Sequence, residues 1–214
     1  IVTKINNFVK NRLIELLGIL LALTSFFLIA SLVSYSPSDP NFIYTPENIE
    51  IKNFGGFYGS VISDFLLQSM GLISFFTVIN LFYWSIKIIT KKGIDDFIPK
   101  IFFLIIYIIF GTTFVNTFYN DSFWLIDNGN GGFIGGMAKE NIHFFSNLAE
   151  NSYFSFFLLI ISIIFFVLSL SLKIKEILNF LLSPYLIIKK IISFFKKKKT
   201  NENINPTDNE LKIE

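Results

Sequence analysis

The sequence predicts an all-α fold: a polytopic membrane protein with four transmembrane helices in two parallel repeats, plus outer-face and inner-face amphipathic helices. Three observations predict it. Of 214 residues, 52% are hydrophobic and only 16% charged, against about 25% charged in an ordinary soluble domain. That leaves too little polar side chain to cover a water-facing surface. The apolar excess is gathered into four runs free of Asp, Glu, Lys, Arg and His, each close to the ~20 residues a helix needs to cross the hydrocarbon core. Finally, a glycine motif recurs at an offset of 76 residues, once in each half.

The first span runs from about Leu16 to Tyr35 and closes on Ser34-Tyr35-Ser36-Pro37-Ser38-Asp39-Pro40. Pro37 and Pro40 bar helical continuation, and Ser and Asp suit a turn. The second span covers Phe65 to about Ile86, the third Ile101 to Phe118 and the fourth Tyr153 to Leu172. The third is the shortest and carries Gly111, Thr112, Thr113 and Asn116. In the fourth, fifteen residues are Phe, Leu, Ile or Val. At −0.3 to −0.6 kcal/mol each near the membrane centre, they contribute about −5 to −9 kcal/mol of insertion free energy.

The basic residues set the orientation. Sixteen of the eighteen lysines and arginines precede span one, lie between spans two and three, or follow span four; only Lys52 and Lys139 fall in the other two loops. The positive-inside rule therefore predicts both termini in the cytoplasm. Tyr35, Tyr119, Trp124 and Tyr153 fall at the outer interface and Tyr83 and Trp84 at the inner one, where amphipathic rings prefer to sit.

Gly55-Gly56-Phe57-Tyr58-Gly59 returns as Gly131-Gly132-Phe133-Ile134-Gly135, each copy between two spans, and each half is entered from the cytoplasm. This is a parallel repeat. Gly55, Gly56, Gly59, Gly131, Gly132 and Gly135 read as structural: sharp turns that start a helix close against a neighbour. A phosphate-cradling loop is rejected, because neither copy fits G-x-x-x-x-G-K-[ST] or G-x-G-x-x-G. After the second copy, Ile134, Met137, Ala138, Ile142, Phe145, Leu148 and Ala149 recur at helical spacing, which predicts a helix lying in the outer interface. After the first, a similar helix runs almost directly into span two.

No residue set for catalysis, cofactor or metal binding is evident. Cys is absent and His143 is the single His, which excludes disulfides, thiolate chemistry and a two-His metal site. His143 reads as interfacial, and Asp95 and Asp96 as a solvated turn. Asp39 and Asp64 read as outer turn and surface residues, with contact to an outer-face partner as the alternative. Gln68, Asn80 and Asn116 can hydrogen-bond between helices, and Gly18, Gly71 and Gly111 permit close helix approach.

Beyond span four, residues 173–199 form a basic amphipathic juxtamembrane segment divided by Pro184. Its pieces are too short to span, which suits the inner leaflet surface. Lys189, Lys190, Lys196, Lys197, Lys198 and Lys199 are its membrane-surface basic set, each worth about 1 kcal/mol against anionic lipid; contact with DNA phosphates is the alternative. Residues 200–214 are polar and read as the start of a disordered linker.

The string Ser34 to Pro40, with Asn53-Phe54-Gly55-Gly56-Phe57-Tyr58-Gly59 and Asp64 after it, the second Gly-Gly and the Leu168-Ser169-Leu170-Ser171-Leu172 end of span four, resembles the N-terminal four-helix membrane domain of the FtsK/SpoIIIE DNA translocases. The resemblance covers Leu13 to Leu172. It implies a membrane-anchoring and septum-targeting domain that holds a cytoplasmic DNA-pumping ATPase at the division site during chromosome segregation. It also implies the lipid bilayer and division-machinery membrane proteins as partners, self-association (hexameric if the motor sets the stoichiometry), and residence in the bacterial cytoplasmic membrane, enriched at the septum. The chain departs from the full family pattern in lacking a motor: no Walker A Gly-Lys-Ser/Thr occurs. As given it is not an enzyme and needs no cofactor; ATP and Mg belong to a downstream motor, as does contact with DNA. The competing reading is a stand-alone small transporter or channel subunit, which the uncharged spans disfavour.

Overall fold

A computed structural model describes residues 2–45, 50–91, 93, 97–141, 152–170 and 172. Among them lie six helices: α1 (Val2–Val33), α2 (Gly56–Met70), α3 (Ile73–Lys91), α4 (Phe97–Phe118), α5 (Gly132–Asn141) and α6 (Ser152–Ser169). They belong to one compact unit that ends at Ser171; a second unit begins at Leu172, and of it only Leu172 is described. His143, Asp95, Asp96, the apolar positions 142–149, the six lysines from Lys189 to Lys199 and the linker 200–214 lie outside the described residues.

Three helical stretches, Asn6–Val33, Ile73–Thr90 and Phe97–Phe118, are long and apolar enough to cross a bilayer. α6 has 18 residues, within the ~17–25 that spanning helices use. Much of their apolar surface is exposed, including Leu13, Leu17, Leu20 and Leu23 of α1. In a protein whose solvent is lipid, that is where Leu and Phe belong. The polar side chains do the opposite and turn inward, where Ser25, Ser31, Ser74, Asn80 and Ser162 are buried. Thr24, Ser25, Ser31 and Thr112 donate to the carbonyl four residues back, so each hydroxyl is satisfied within its own helix.

Each half repeats one arrangement: a span, a short helix laid on it, and a second span antiparallel to the first. In the first half Gly18 meets Ile88 and Ile89, Phe26 stands edge-on to Phe82 with ring centroids 4.9 Å apart, and Leu32 packs with Val78. In the second, Phe103 meets Phe165, Gly111 meets Ser162 and Phe118 meets Phe156. α2 rests on α1 and α5 on α4, while α2 with α5 and α3 with α4 join the halves. The start of α1, the end of α3, the start of α4 and the end of α6 thus share one end of the bundle, here the lysine end. Both glycine motifs lie at the other, the motif end.

Two expectations need correction. Span two does not run from Phe65 to Ile86, because the helix breaks at Gly71. Gly71 has φ +55° and donates its N–H to the Leu67 carbonyl at 2.7 Å, while the Leu72 N–H leaves the helix for the Asn130 carbonyl at 2.9 Å. The crossing helix is α3, which starts at Ile73, eight residues further along. Nor does Trp84 sit at a lipid interface: it is buried, packs edge-on to Phe97 and donates its indole N–H to the Ser169 carbonyl at 2.9 Å.

Candidate functional site: the polar cluster at the motif end

The residues after α1 fold back over the start of α2 and are tied down one by one. Ser34 donates its hydroxyl to the Ala30 carbonyl at 2.7 Å and accepts the Phe54 N–H at 2.8 Å. Ser36 and Ser38 share a hydrogen bond of 2.9 Å, and the Asp39 N–H closes the turn on the Ser36 carbonyl at 3.1 Å. The Asp39 carboxylate accepts the backbone N–H groups of Lys52 and Asn53 at 3.1 and 2.8 Å. Asp39 is only 3% exposed, so the expectation of a surface Asp is overturned: its charge is taken up by peptide N–H groups. The Pro40 carbonyl accepts the Ser60 hydroxyl at 2.8 Å.

Asn53 is the hub. Its amide nitrogen donates to the Ser31 carbonyl at 2.8 Å and the Ser63 hydroxyl at 3.2 Å, and its oxygen accepts the Gly55 N–H at 2.9 Å. Gly55 and Gly59 then sit so close to α1 that a Cβ on Gly55 would fall 2.6 Å from Ser31 Oγ and one on Gly59 2.8 Å from it.

The second copy repeats these roles with other residues. Asn120 replaces Asn53, its side-chain oxygen accepting the Gly131 N–H at 3.1 Å. Asn116 replaces Ser31: a Cβ on Gly131 would lie 2.5 Å from Asn116 Cβ, and one on Gly135 would overlap the Thr112 carbonyl. The second glycine of each motif has a left-handed backbone, Gly56 at φ +61° and Gly132 at φ +65°. The six motif glycines therefore divide into two turn positions and four close approaches, at equivalent places in each half.

Between the copies runs a second polar strand. The Tyr35 hydroxyl donates to Asp64 Oδ1 at 2.9 Å, and the Gln68 oxygen accepts the Asn128 amide at 2.9 Å. Burial raises the Asp64 carboxyl above the usual range, with the charge of Asp127 adding to it and hydrogen bonds from Tyr35 and Gln68 opposing it. Burial, then the charge of Asp64, also raises the Tyr35 hydroxyl well above its ordinary value. Tyr35 stands edge-on to Trp124 at 5.8 Å, so both rings expected at an interface are partly enclosed.

Ser34 to Pro40 and the first glycine copy come together around α2, and the second glycine copy lies against α4 at the start of α5. Asn53 is legible in the sequence only as part of the family string, and Asn120 carries no motif there. The signal available was their position, just before or within the loop that each Gly-Gly closes. Among the described residues no group of three or more His, Asp or Glu could hold a metal ion.

The arrangement defines an integral membrane domain of two parallel repeats, whose described polar groups hold loops and helix ends in place. The model of the 4TM region of DNA translocase FtsK/SpoIIIE matches residues 10–178, and the chain belongs to that family. It is similar to a DNA translocase FtsK of Mesorhizobium japonicum, 24% identical over 136 residues, which make up 64% of this chain and 15% of the relative. It is also similar to one of Vibrio vulnificus, 37% identical over 73 residues, 34% of this chain and 7% of the relative. The chain thus spans a small fraction of the relatives it matches. No solved structure matches it.

Proposed function

We propose that this chain is the membrane-anchoring and septum-targeting domain of a DNA translocase acting in cell division and chromosome segregation. The observation that carries the reading is the family match over residues 10–178, which takes in all four spans. In this role the lysine end faces the cytoplasm. Lys10, Arg12, Lys87 and Lys100 belong to helix ends there, and Lys52 and Lys139 to the motif end, as the bias of short cytoplasmic loops toward Lys and Arg requires. The chain beyond α6 then leaves on the cytoplasmic side, where its lysines 189, 190 and 196–199 meet anionic lipid and a linker leads to a DNA-pumping ATPase. ATP, Mg and DNA are that motor's ligands; the anchor's own partners are the bilayer, division-machinery membrane proteins and further copies of itself, six if the motor sets the number.

A fluorescent fusion of this chain, expressed in dividing cells in place of the native anchor, tests the reading. Enrichment at mid-cell, with division failure on depletion, is the expected result. Uniform membrane fluorescence with normal division, or ion conductance by the reconstituted chain, overturns it in favour of a stand-alone transporter or channel subunit.

A further inference from the structure

The two repeats differ in what lies over their short helices. Over α2, Ser60 donates to the carbonyl of Pro40, so a length of backbone lies across the helix. In the second copy Gly136 stands at the position of Ser60, and beside it opens a cleft of about 920 Å³ between α5 and the 120–129 loop. That volume is within the ~300–1,000 Å³ of small-ligand sites.

On the cleft wall lies Asn116, 7% exposed, whose carboxamide hydrogen-bonds to no described residue. A carboxamide that faces a cleft offers a donor and an acceptor together, the complement of a peptide group. Asp121, Asp127 and Glu140 line the cleft against the single cation Lys139. These carboxylates are not gathered as a metal-ligand set.

We propose that this cleft binds an extended peptide segment of a partner protein bearing a lysine or arginine, its backbone paired with Asn116 and its cation held between Asp121 and Asp127. The segment takes over α5 the place that residues 37–40 of the chain take over α2. The proposal does not depend on which side of the membrane the motif end faces.

The test uses the full chain in phosphatidylcholine nanodiscs, titrated with acetyl-Gly-Lys-Gly-amide and, as neutral control, acetyl-Gly-Gln-Gly-amide, with Trp fluorescence and calorimetry as readouts. The lysine peptide is expected to bind saturably, and the glutamine peptide about tenfold more weakly. Asn116→Ala and Asp127→Asn should each weaken the lysine peptide by a similar factor. Gly136→Leu should abolish binding without harming the fold, because a Cβ there meets only the Asn116 amide nitrogen at 3.9 Å and the longer side chain enters the cleft. Absence of saturable binding, equal binding of the two peptides, unchanged binding in Gly136→Leu, or preference for a neutral oligosaccharide such as chitotriose would each overturn the proposal.

Discussion

Gly71 and Gly132 are in backbone contact: a Cβ on Gly132 would fall 2.5 Å from the amide nitrogen of Gly71. One ends α2 and the other starts α5, so the two repeats are joined through the backbones of their glycine turns. Both residues have a positive φ, +55° and +65°, which strains an L side chain by about 1–2 kcal/mol or more before any clash; at Gly71, with ψ −140°, the strain exceeds that of the left-handed helical well. Gly56 also has a positive φ, +61°, but a Cβ there meets nothing within 4 Å. Gly56→Ala should therefore lose only that strain. Gly71→Ala and Gly132→Ala should lose visibly more, since the obstructing atoms are backbone and cannot swing aside. Thermal unfolding of the three variants in nanodiscs gives the ranking; equal losses at all three would refute a fixed junction between the halves.

The Asp39 carboxylate and Asn53 make a second joint, within the first repeat. Asp39→Ala strands the buried N–H of Asn53 and the part-buried N–H of Lys52, and since a buried donor left unpaired costs about 1–3 kcal/mol it should lower stability by ~1–3 kcal/mol. Ser36→Ala and Ser38→Ala remove only an exposed hydroxyl pair and should stay within about 0.5 kcal/mol. Denaturation monitored by Trp fluorescence separates the two classes.

The contrast within the Ser34–Pro40 string shows what sequence can and cannot reveal here. A helix stop at Pro37 and Pro40 is local physics and readable. That Asp39 is buried is not, because its partners lie thirteen and fourteen residues on. The spans were legible for a similar local reason: an uncharged apolar run of this length has few other stable states. Span two was misplaced because Met70-Gly71-Leu72-Ile73 carries no polar residue to mark a break. The Leu72 N–H finds its substitute acceptor at Asn130, in the other repeat. Asn116 read as a helix–helix hydrogen bond, and only the fold shows it facing a cleft.

Asp64 gives a pH dependence with a definite sign. Its carboxyl is raised in the folded protein, chiefly by burial, so the folded state prefers the protonated acid. The stabilisation from protonation is full below the unfolded pKa and is lost as pH rises through the folded one. Asp64→Asn keeps groups that can pair with Tyr35 and Gln68 while removing the charge. The difference in melting temperature between Asp64→Asn and the parent should thus be largest at neutral pH, in the variant's favour, and shrink on acidification. A difference that grows on acidification would reverse the assignment.

At the lysine end, α6 closes on a set of side chains from α3 and α4. The Trp84 indole donates to the Ser169 carbonyl, Lys100 Nζ donates to the Leu168 carbonyl at 3.0 Å, and the Asn80 amide donates to the Ser169 hydroxyl. Those carbonyls belong to the last turn of α6, where no intrahelical N–H is left to serve them, and a cation there also meets the negative end of the helix dipole. Trp84→Phe keeps the packing against Phe97 but orphans a buried carbonyl, so it should cost about 1 kcal/mol, the scale of polar contacts between membrane helices. Asn80 behaves differently, because its side-chain oxygen is buried with no hydrogen-bond partner. Asn80→Leu removes that orphan along with the bond to Ser169, whose hydroxyl keeps its own bond to the Phe166 carbonyl at 2.7 Å. It should therefore be neutral or stabilising, whereas Trp84→Phe destabilises. Unfolding of both variants in the same lipid, with Trp124 left as reporter in the second, decides it. A loss in Asn80→Leu as large as in Trp84→Phe would mean that the Asn80–Ser169 contact, and not the capping of α6, holds this end together.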